Sequence, residues 1–135
     1  MLVPLPQPYD FALSTARFHV YGLDRANLWH EGGLHRVIGG REVRIVAAPE
    51  GVDVEPHDAA VESEVLTLLG APFDLGAFAS WAEGEPVLAP LVRSLAGFRP
   101  PLQPDPFEAL VTSITAQQVS LQSAFAIRSR FVARY

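Results

Sequence analysis

The chain has 135 residues, 49% of them apolar, so it can bury a core of one ordinary domain or two small ones and is not a disordered tail. It contains no cysteine, which excludes disulfides and thiolate metal sites, and no apolar run approaches the ~18 residues of a membrane span. The N-terminus has neither a basic start nor a long apolar block, so we expect no signal peptide, no membrane partner and a cytoplasmic location.

The net charge of −5 is unevenly distributed along the chain. Residues 1–90 carry five arginines and thirteen acids, whereas residues 91–135 carry five arginines and two acids. Every basic residue is arginine, whose planar guanidinium binds phosphate oxygens in a bidentate manner. The overall charge argues weakly against nucleic acid as a partner, and the arginine-only usage is also explained by a compositional bias of the source genome.

The first part of the chain predicts β-structure. Residues 9–21 are rich in aromatic and β-branched side chains, which predicts a strand. In the clearest strand pattern, Val43, Ile45 and Ala47 alternate with Arg44 and Val46. Glycine tolerates the positive φ of tight hairpins, and three such turn signals lie at Gly32-Gly33, Gly39-Gly40 and Pro49-Glu50-Gly51. Residues 27–55 are therefore predicted to form an antiparallel meander with one covered face.

From residue 58 the apolar period becomes helical. Three helices are predicted. Asp58 caps the first, which ends at Gly70; Asp74 caps the second; and the third has Pro86 in its first turn and ends at Gly97. Their apolar stripes are Val61, Val65, Leu68 and Leu69; then Leu75, Phe78, Trp81 and Ala82; then Val87, Leu88, Leu91, Val92 and Leu95. Residues 99–104, "RPPLQP", are predicted to be a stiff, non-helical linker.

Two further helices follow the linker. The fourth has an N-cap at Asp105, Pro106 at its first position and Glu108 placed to complete a capping box. The last begins at a Ser120 cap. The predicted apolar faces are Phe107, Leu110, Val111 and Ile114 on the fourth helix, and Leu121, Ala124, Phe125, Arg128, Phe131, Val132 and Tyr135 on the last. These broad faces predict that residues 106–135 are poorly packed or are completed by a partner or a further chain segment.

Paired amides, Gln117 and Gln118, interrupt the apolar pattern between these helices. Glutamine has two donors and one acceptor, so it can satisfy the free backbone groups of a helix end, which is one interpretation. The other interpretation is that a neutral amide on a rigid turn enters the minor groove of DNA and fills the space of an extruded base. A charged side chain is more costly to desolvate in that position.

The stretch "DPFEALVTSITAQQVSLQSAFAIRSRFVARY" resembles the start of the helix-hairpin-helix DNA glycosylase domain, and specifically the bacterial DNA-3-methyladenine glycosylase II family. The resemblance is carried by Pro106-Phe107-Glu108 and by the run from Ile114 to Ser120. Residues 95–101, "LAGFRPP", and the N-terminal "PYDF" are also similar to that family. The resemblance implies a first domain that is a TATA-binding-protein-like antiparallel sheet with helices.

The resemblance also implies roles for individual residues. Gln118 corresponds to the residue wedged into the duplex, Gln117 to a neighbouring amide that contacts the groove, and Val119 and Ser120 to the residues that set the next helix. Phe11 and Phe18 are candidates to approach the base pocket, although a place in the core is the better interpretation of both. The implied activity is base-excision repair: hydrolysis of the N-glycosidic bond of alkylated purines by base flipping, with double-stranded DNA carrying a damaged base as the partner and no metal or cofactor.

No catalytic residue is assigned. In the family, a hairpin with a Gly-x-Gly turn and a catalytic aspartate follow the segment seen here, and no acid follows Glu108 in this chain. We therefore expect a chain truncated before the catalytic aspartate that releases no base by itself, a monomeric full-length parent, and association of the fragment. Asp105 and Glu108 are interpreted as capping residues. The four scattered histidines, His19, His30, His35 and His57, are interpreted as surface or strand residues and not as metal ligands.

The predicted fold class is α+β. Residues 1–73 are expected to form the antiparallel sheet plus helix domain, residues 74–104 a helical connector with a proline-rich linker, and residues 105–135 the start of the helical glycosylase domain. The alternative to the glycosylase is a non-catalytic α+β module that binds DNA or a protein partner. A further hypothesis, unrelated to the family, is a small α+β interaction domain without a nucleic-acid role, in which the glutamines only cap helix ends.

Overall fold

The computed structural model describes residues 1–135 and is an α+β protein with a five-stranded antiparallel sheet and six helices. None of the helices combines the length and the apolar character that crossing a bilayer requires. The strands are β1 (Leu2–Pro4), β2 (Leu28–His30), β3 (Gly33–Ile38), β4 (Arg41–Ala48) and β5 (Gly51–Glu55). The helices are α1 (Phe11–Thr15), α2 (Ala59–Leu68), α3 (Leu75–Ala82), α4 (Leu88–Ser94), α5 (Pro106–Thr115) and α6 (Leu121–Arg134).

The predicted meander is confirmed, and β1 adds a strand that the sequence did not predict. The strand order is β1-β5-β4-β3-β2, with every neighbouring pair antiparallel. In the register of the outer pair, Val3 lies opposite Val52 and Pro4 opposite Gly51. A Cβ atom at Gly51 would lie 2.1 Å from the carbonyl oxygen of Val3, so only glycine allows β1 to approach so closely.

One face of the sheet packs against α2 and forms the main core. Asp58 caps α2 as predicted, and its Oδ1 accepts the backbone N–H groups of Ala60 and Val61 at 3.0 Å each. The predicted stripe of α2 is buried throughout. The core consists of Val3, Leu5, Phe18, Leu34, Ile38, Val43, Ile45, Val52, Val54, Val61, Val65, Leu68 and Leu69. Phe18 is thus a core residue, and Phe11 packs against the core from its edge. Ala47, on the same strand alternation, is exposed near the end of β4.

The predicted strand over residues 9–21 is wrong. Asp10 accepts the N–H of Leu13 at 2.9 Å and caps the short helix α1, and a 3₁₀ turn follows over Ala16–Phe18. The Thr15 hydroxyl donates to the Phe11 carbonyl at 2.6 Å inside α1. The aromatic and β-branched composition was misleading because local capping by Asp10 outweighs weak strand propensity.

The five later helices appear at the predicted places, but their apolar stripes are not all covered. The Asp74 cap of α3 is confirmed, whereas α4 begins at Leu88, two residues after Pro86. Residues 99–104 are non-helical, as predicted. Large apolar side chains of α3 to α6 lie exposed: Phe78, Trp81, Leu91, Phe107, Leu110, Ile114, Leu121, Ile127, Phe131, Val132 and Tyr135. Periodicity therefore identified the apolar sides of these helices, while the described chain leaves them uncovered.

Arg99 fixes the linker to the sheet-bearing part of the molecule. Its side chain is buried and donates through Nη1 to the carbonyl oxygens of Gly70 and Phe73 at 3.3 and 2.7 Å. Its backbone N–H donates to the Ser14 hydroxyl at 3.0 Å. The linker is consequently a packed segment, and α5 leaves it from a defined position.

Candidate nucleic-acid interface

The turn between α5 and α6 presents the paired glutamines to solvent. Gln117, Gln118, Val119 and Ser120 are all exposed. Gln118 has a φ of 57°, in the left-handed region that non-glycine residues adopt only at a cost of about 1–2 kcal/mol. The amide of Gln118 therefore lies on a bend that faces solvent.

The helix ends on either side of the turn are capped without the glutamine side chains. The N–H of Ala116 bonds to the Thr112 carbonyl at 3.1 Å, and the backbone N–H of Gln117 bonds to the Ile114 carbonyl at 3.3 Å. Ser120 is the N-cap of α6, and its hydroxyl accepts the N–H of Ser123 at 3.1 Å. The capping interpretation of Gln117 and Gln118 is therefore wrong for their side chains, because other groups cap both helices.

A buried polar network, here called the anchor network, holds both helices against the sheet. It consists of Asp24, Asn27, Arg36, Glu108 and Arg128. Arg36 lies between Leu34 and Ile38 on the inner side of β3, and its Nη2 donates to Glu108 Oε2 at 2.5 Å. Its Nη1 donates to Glu108 Oε1 at 3.2 Å and to Asn27 Oδ1 at 2.8 Å. The start of α5 is thereby tied to the middle of β3.

Glu108 was predicted to complete a capping box, and this is wrong. Asp105 caps α5 as predicted, since its Oδ1 accepts the N–H of Glu108 at 2.7 Å. The Glu108 carboxylate turns away from the helix end and binds the Arg36 guanidinium, a buried charge that would otherwise lack an acidic partner. A bidentate ion pair satisfies both groups better than a single backbone N–H would.

The other side of the anchor network holds α6. Arg128 Nε donates to Asp24 Oδ1 at 3.1 Å, and Arg128 Nη2 donates to Asp24 Oδ2. Asn27 Nδ2 donates to the same Oδ2 at 3.1 Å, so Asn27 joins the two ion pairs. At the next residue, the Ser129 hydroxyl accepts the N–H of Arg25 at 3.1 Å and donates to the Leu23 carbonyl at 2.8 Å. Both helices that flank the glutamine turn are thus fixed to one set of buried polar groups.

The sequence contained two signals for this network. Strand alternation places Arg36 on the same side as Leu34 and Ile38, and the apolar stripe of α6 contains Arg128. A charged residue in an apolar pattern requires a partner. The partners Asp24 and Asn27 carried no signal, because they lie in an irregular segment more than 100 residues from Arg128.

A small cavity lies beside the anchor network. Its volume is about 150 Å³, below that of typical ligand sites, and the Thr112 hydroxyl, buried without a hydrogen-bond partner, belongs to its lining. The other lining residues are Arg17, Phe18, Asn27, Leu68, Pro101, Leu102, Gln103, Ala109, Ser113 and Arg128. A larger open cavity of about 340 Å³ lies at the other end of the sheet against Tyr9, Asp10, Phe11 and Glu50.

Comparisons of the chain with protein-family models, with curated proteins and with solved structures gave no match. No three or more His, Asp or Glu side chains come together in an arrangement that could hold a metal ion. The candidate site consequently rests on the geometry of the α5–α6 turn and of the network that holds its two flanking helices.

Proposed function

We propose that this chain recognises damaged duplex DNA in base-excision repair and supplies lesion recognition to a DNA glycosylase of the DNA-3-methyladenine glycosylase II type. The observation that carries the proposal is the exposed turn at Gln117 and Gln118, with Gln118 in a left-handed conformation. In this proposal the sheet with its helices is the TATA-binding-protein-like first domain, and α5 and α6 are the first helices of the helix-hairpin-helix domain.

The turn is suited to stabilise an extruded base. Removing a base from the stack costs a few kcal/mol and leaves a gap opposite an unpaired base. Gln118 can fill that gap, and its amide can pair with the widowed base, because glutamine both donates and accepts hydrogen bonds. Its neutrality keeps the desolvation cost low inside the base stack.

The chemistry of the glycosylase needs a carboxylate that stabilises the positive charge developing on the sugar. Both acids of residues 105–135 lie at the start of α5 and have other roles in the structure: Asp105 caps α5 and Glu108 binds Arg36. We assign neither of them to catalysis. The contribution of residues 105–135 to the proposed reaction is recognition and base extrusion.

Fluorescence anisotropy with two labelled duplexes tests the proposal, one intact and one containing a stable abasic analogue. We expect the protein to prefer the abasic duplex, and Gln117→Ala/Gln118→Ala to reduce that preference. Two lost amide contacts of ~0.5–1.5 kcal/mol each correspond to a reduction of about 5- to 150-fold. The matched control is Gln122→Ala, an exposed glutamine in the first turn of α6. A preference for abasic duplex that is unchanged in the double variant refutes the insertion of Gln118 into the duplex. The hydrolytic step is measured separately, as release of alkylated purines.

The second candidate is a partner-binding α+β module without a catalytic role. The observation in its favour is the exposed apolar side of α5, where Phe107, Leu110 and Ile114 are 73%, 58% and 58% exposed. Exposed apolar surface of this kind marks interaction sites. A folded protein that binds neither duplex at low salt would favour this candidate over the first.

A further inference from the structure

The outward side of α6 is free of acids and carries two unpaired arginines. Residues 109–135 contain no Asp or Glu. Arg130 and Arg134 are exposed, and neither belongs to any of the ion pairs of the protein. The Arg134 guanidinium lies 5.9 Å from the ring centre of Tyr135, which leaves its N–H groups free for an anion.

Helical geometry separates these arginines from the one that holds α6 in place. With 3.6 residues per turn, Arg130 and Arg134 project from the side opposite to Phe125 and Arg128, which are turned towards the sheet. Arg128 is neutralised by Asp24, whereas the outer pair has no counter-charge. Ser123 and Ala126 share the outer side and are small and exposed, so an extended partner can approach the helix closely. The exposed Ile127 lies on this side as well, beside the two arginines.

We propose that this outer side of α6 binds the phosphodiester backbone of the same duplex that the glutamine turn enters. The inference rests on the proposed function, which places the duplex at the N-terminal end of α6. At 1.5 Å per residue, Arg130 and Arg134 lie ~15 and ~21 Å along the helix from Ser120. In this proposal α6 runs parallel to the duplex axis, so with ~3.4 Å of axis per base pair the phosphates in question lie about four to six base pairs from the wedged step.

Charge complementarity selects nucleic-acid backbone as the occupant. Arginine forms bidentate hydrogen bonds with phosphate, and two arginines one turn apart match successive phosphates of one strand. The surface carries no acid that would repel a polyanion, although the chain as a whole is acidic. Arginines near a helix C-terminus also interact favourably with the helix dipole, and that effect alone changes stability and not DNA affinity.

The experiment measures the dissociation constant for the abasic and intact duplexes over a range of salt concentrations. Arg130→Gln/Arg134→Gln is expected to lower the slope of log affinity against log salt by about two and to weaken binding at 0.1 M salt by up to about 60-fold. The ratio between abasic and intact duplex is expected to stay at the wild-type value. The matched control is Arg44→Gln/Arg93→Gln, which removes the same charge from two exposed, unpaired arginines elsewhere.

The outcomes separate this inference from the proposed function. A wild-type slope in the Arg130/Arg134 variant, or an equal decrease in the control, overturns the backbone contact while the wedge stands. If the wild-type protein shows no preference for the abasic duplex, the wedge is overturned. If the slope of log affinity against log salt still depends on Arg130 and Arg134 in that case, a backbone contact without lesion recognition is supported. Thermal unfolding of each variant establishes that the fold is intact.

Discussion

Replacement of Glu108 by glutamine is expected to destabilise the protein through Arg36. The Arg36 side chain is 3% exposed and Glu108 is 30% exposed, so the substitution leaves a buried guanidinium without an anionic partner, with Asn27 Oδ1 and one neutral amide oxygen as its acceptors. Breaking a fully buried ion pair costs ~3–5 kcal/mol, and the partial exposure of Glu108 reduces this to about 2–3 kcal/mol. That is a large share of the ~5–15 kcal/mol by which native proteins are typically stable against unfolding.

Urea unfolding measures the loss. With a slope of about 2 kcal/mol per molar urea, Glu108→Gln is expected to move the midpoint down by about 1–1.5 M. The double variant Arg36→Met/Glu108→Leu is expected to stay within about 1 kcal/mol of the wild-type protein, because apolar side chains replace both charges at once. The control is Arg41→Gln, which breaks an ion pair with Asp58 whose two side chains are 51% and 42% exposed, and it is expected to change the midpoint little. A Glu108→Gln midpoint equal to that of the control would refute the assigned role of the anchor network.

Two further predictions concern backbone strain and titration. Gln118→Gly is expected to raise the free energy of unfolding by about 0.5–1 kcal/mol, because glycine adopts the φ of 57° without strain. The same substitution is expected to lower the preference for abasic duplex. A glycine variant less stable than the wild-type protein would contradict the assigned backbone strain. Burial raises the pKa of Tyr9 from 10.0 to about 12, so the neutral hydroxyl's contribution to stability is fully present below pH 10 and is lost between pH 10 and 12. An ultraviolet absorbance titration is expected to show a tyrosinate step near pH 12 that Tyr9→Phe removes, and a titration unchanged by the substitution would contradict the burial of this group.

Local signals in the sequence predicted most of the elements. The caps Asp58, Asp74, Asp105 and Ser120 were found because a cap and the N–H it accepts lie within three residues of each other. Alternation located the strands because successive side chains of a strand point to opposite faces of the sheet, and one face is buried. The strand predicted over residues 9–21 failed because composition was used where a capping residue decided the structure.

Non-local features could not be found in the same way. The ion pairs of the anchor network join residues 72 and 104 positions apart, and neither spacing leaves a periodic trace. For the candidate site, the sequence identified the glutamine turn but not its left-handed residue or the network that holds the flanking helices. Periodicity also identifies which side of a helix is apolar but not what covers that side. The exposure of Phe107 and Trp81 could therefore be seen only in the three-dimensional structure.

The anchor network has a consequence for the order of folding. The hairpin of α5 and α6 closes over a turn of five residues and can form early, whereas its attachment to the sheet must wait until strands and loop are assembled. Interactions formed after the rate-limiting barrier slow unfolding more than they speed folding. The two ion pairs are therefore expected to stabilise mainly the native state. Their removal is expected to raise the rate at which the hairpin of α5 and α6 detaches, while the sheet stays folded.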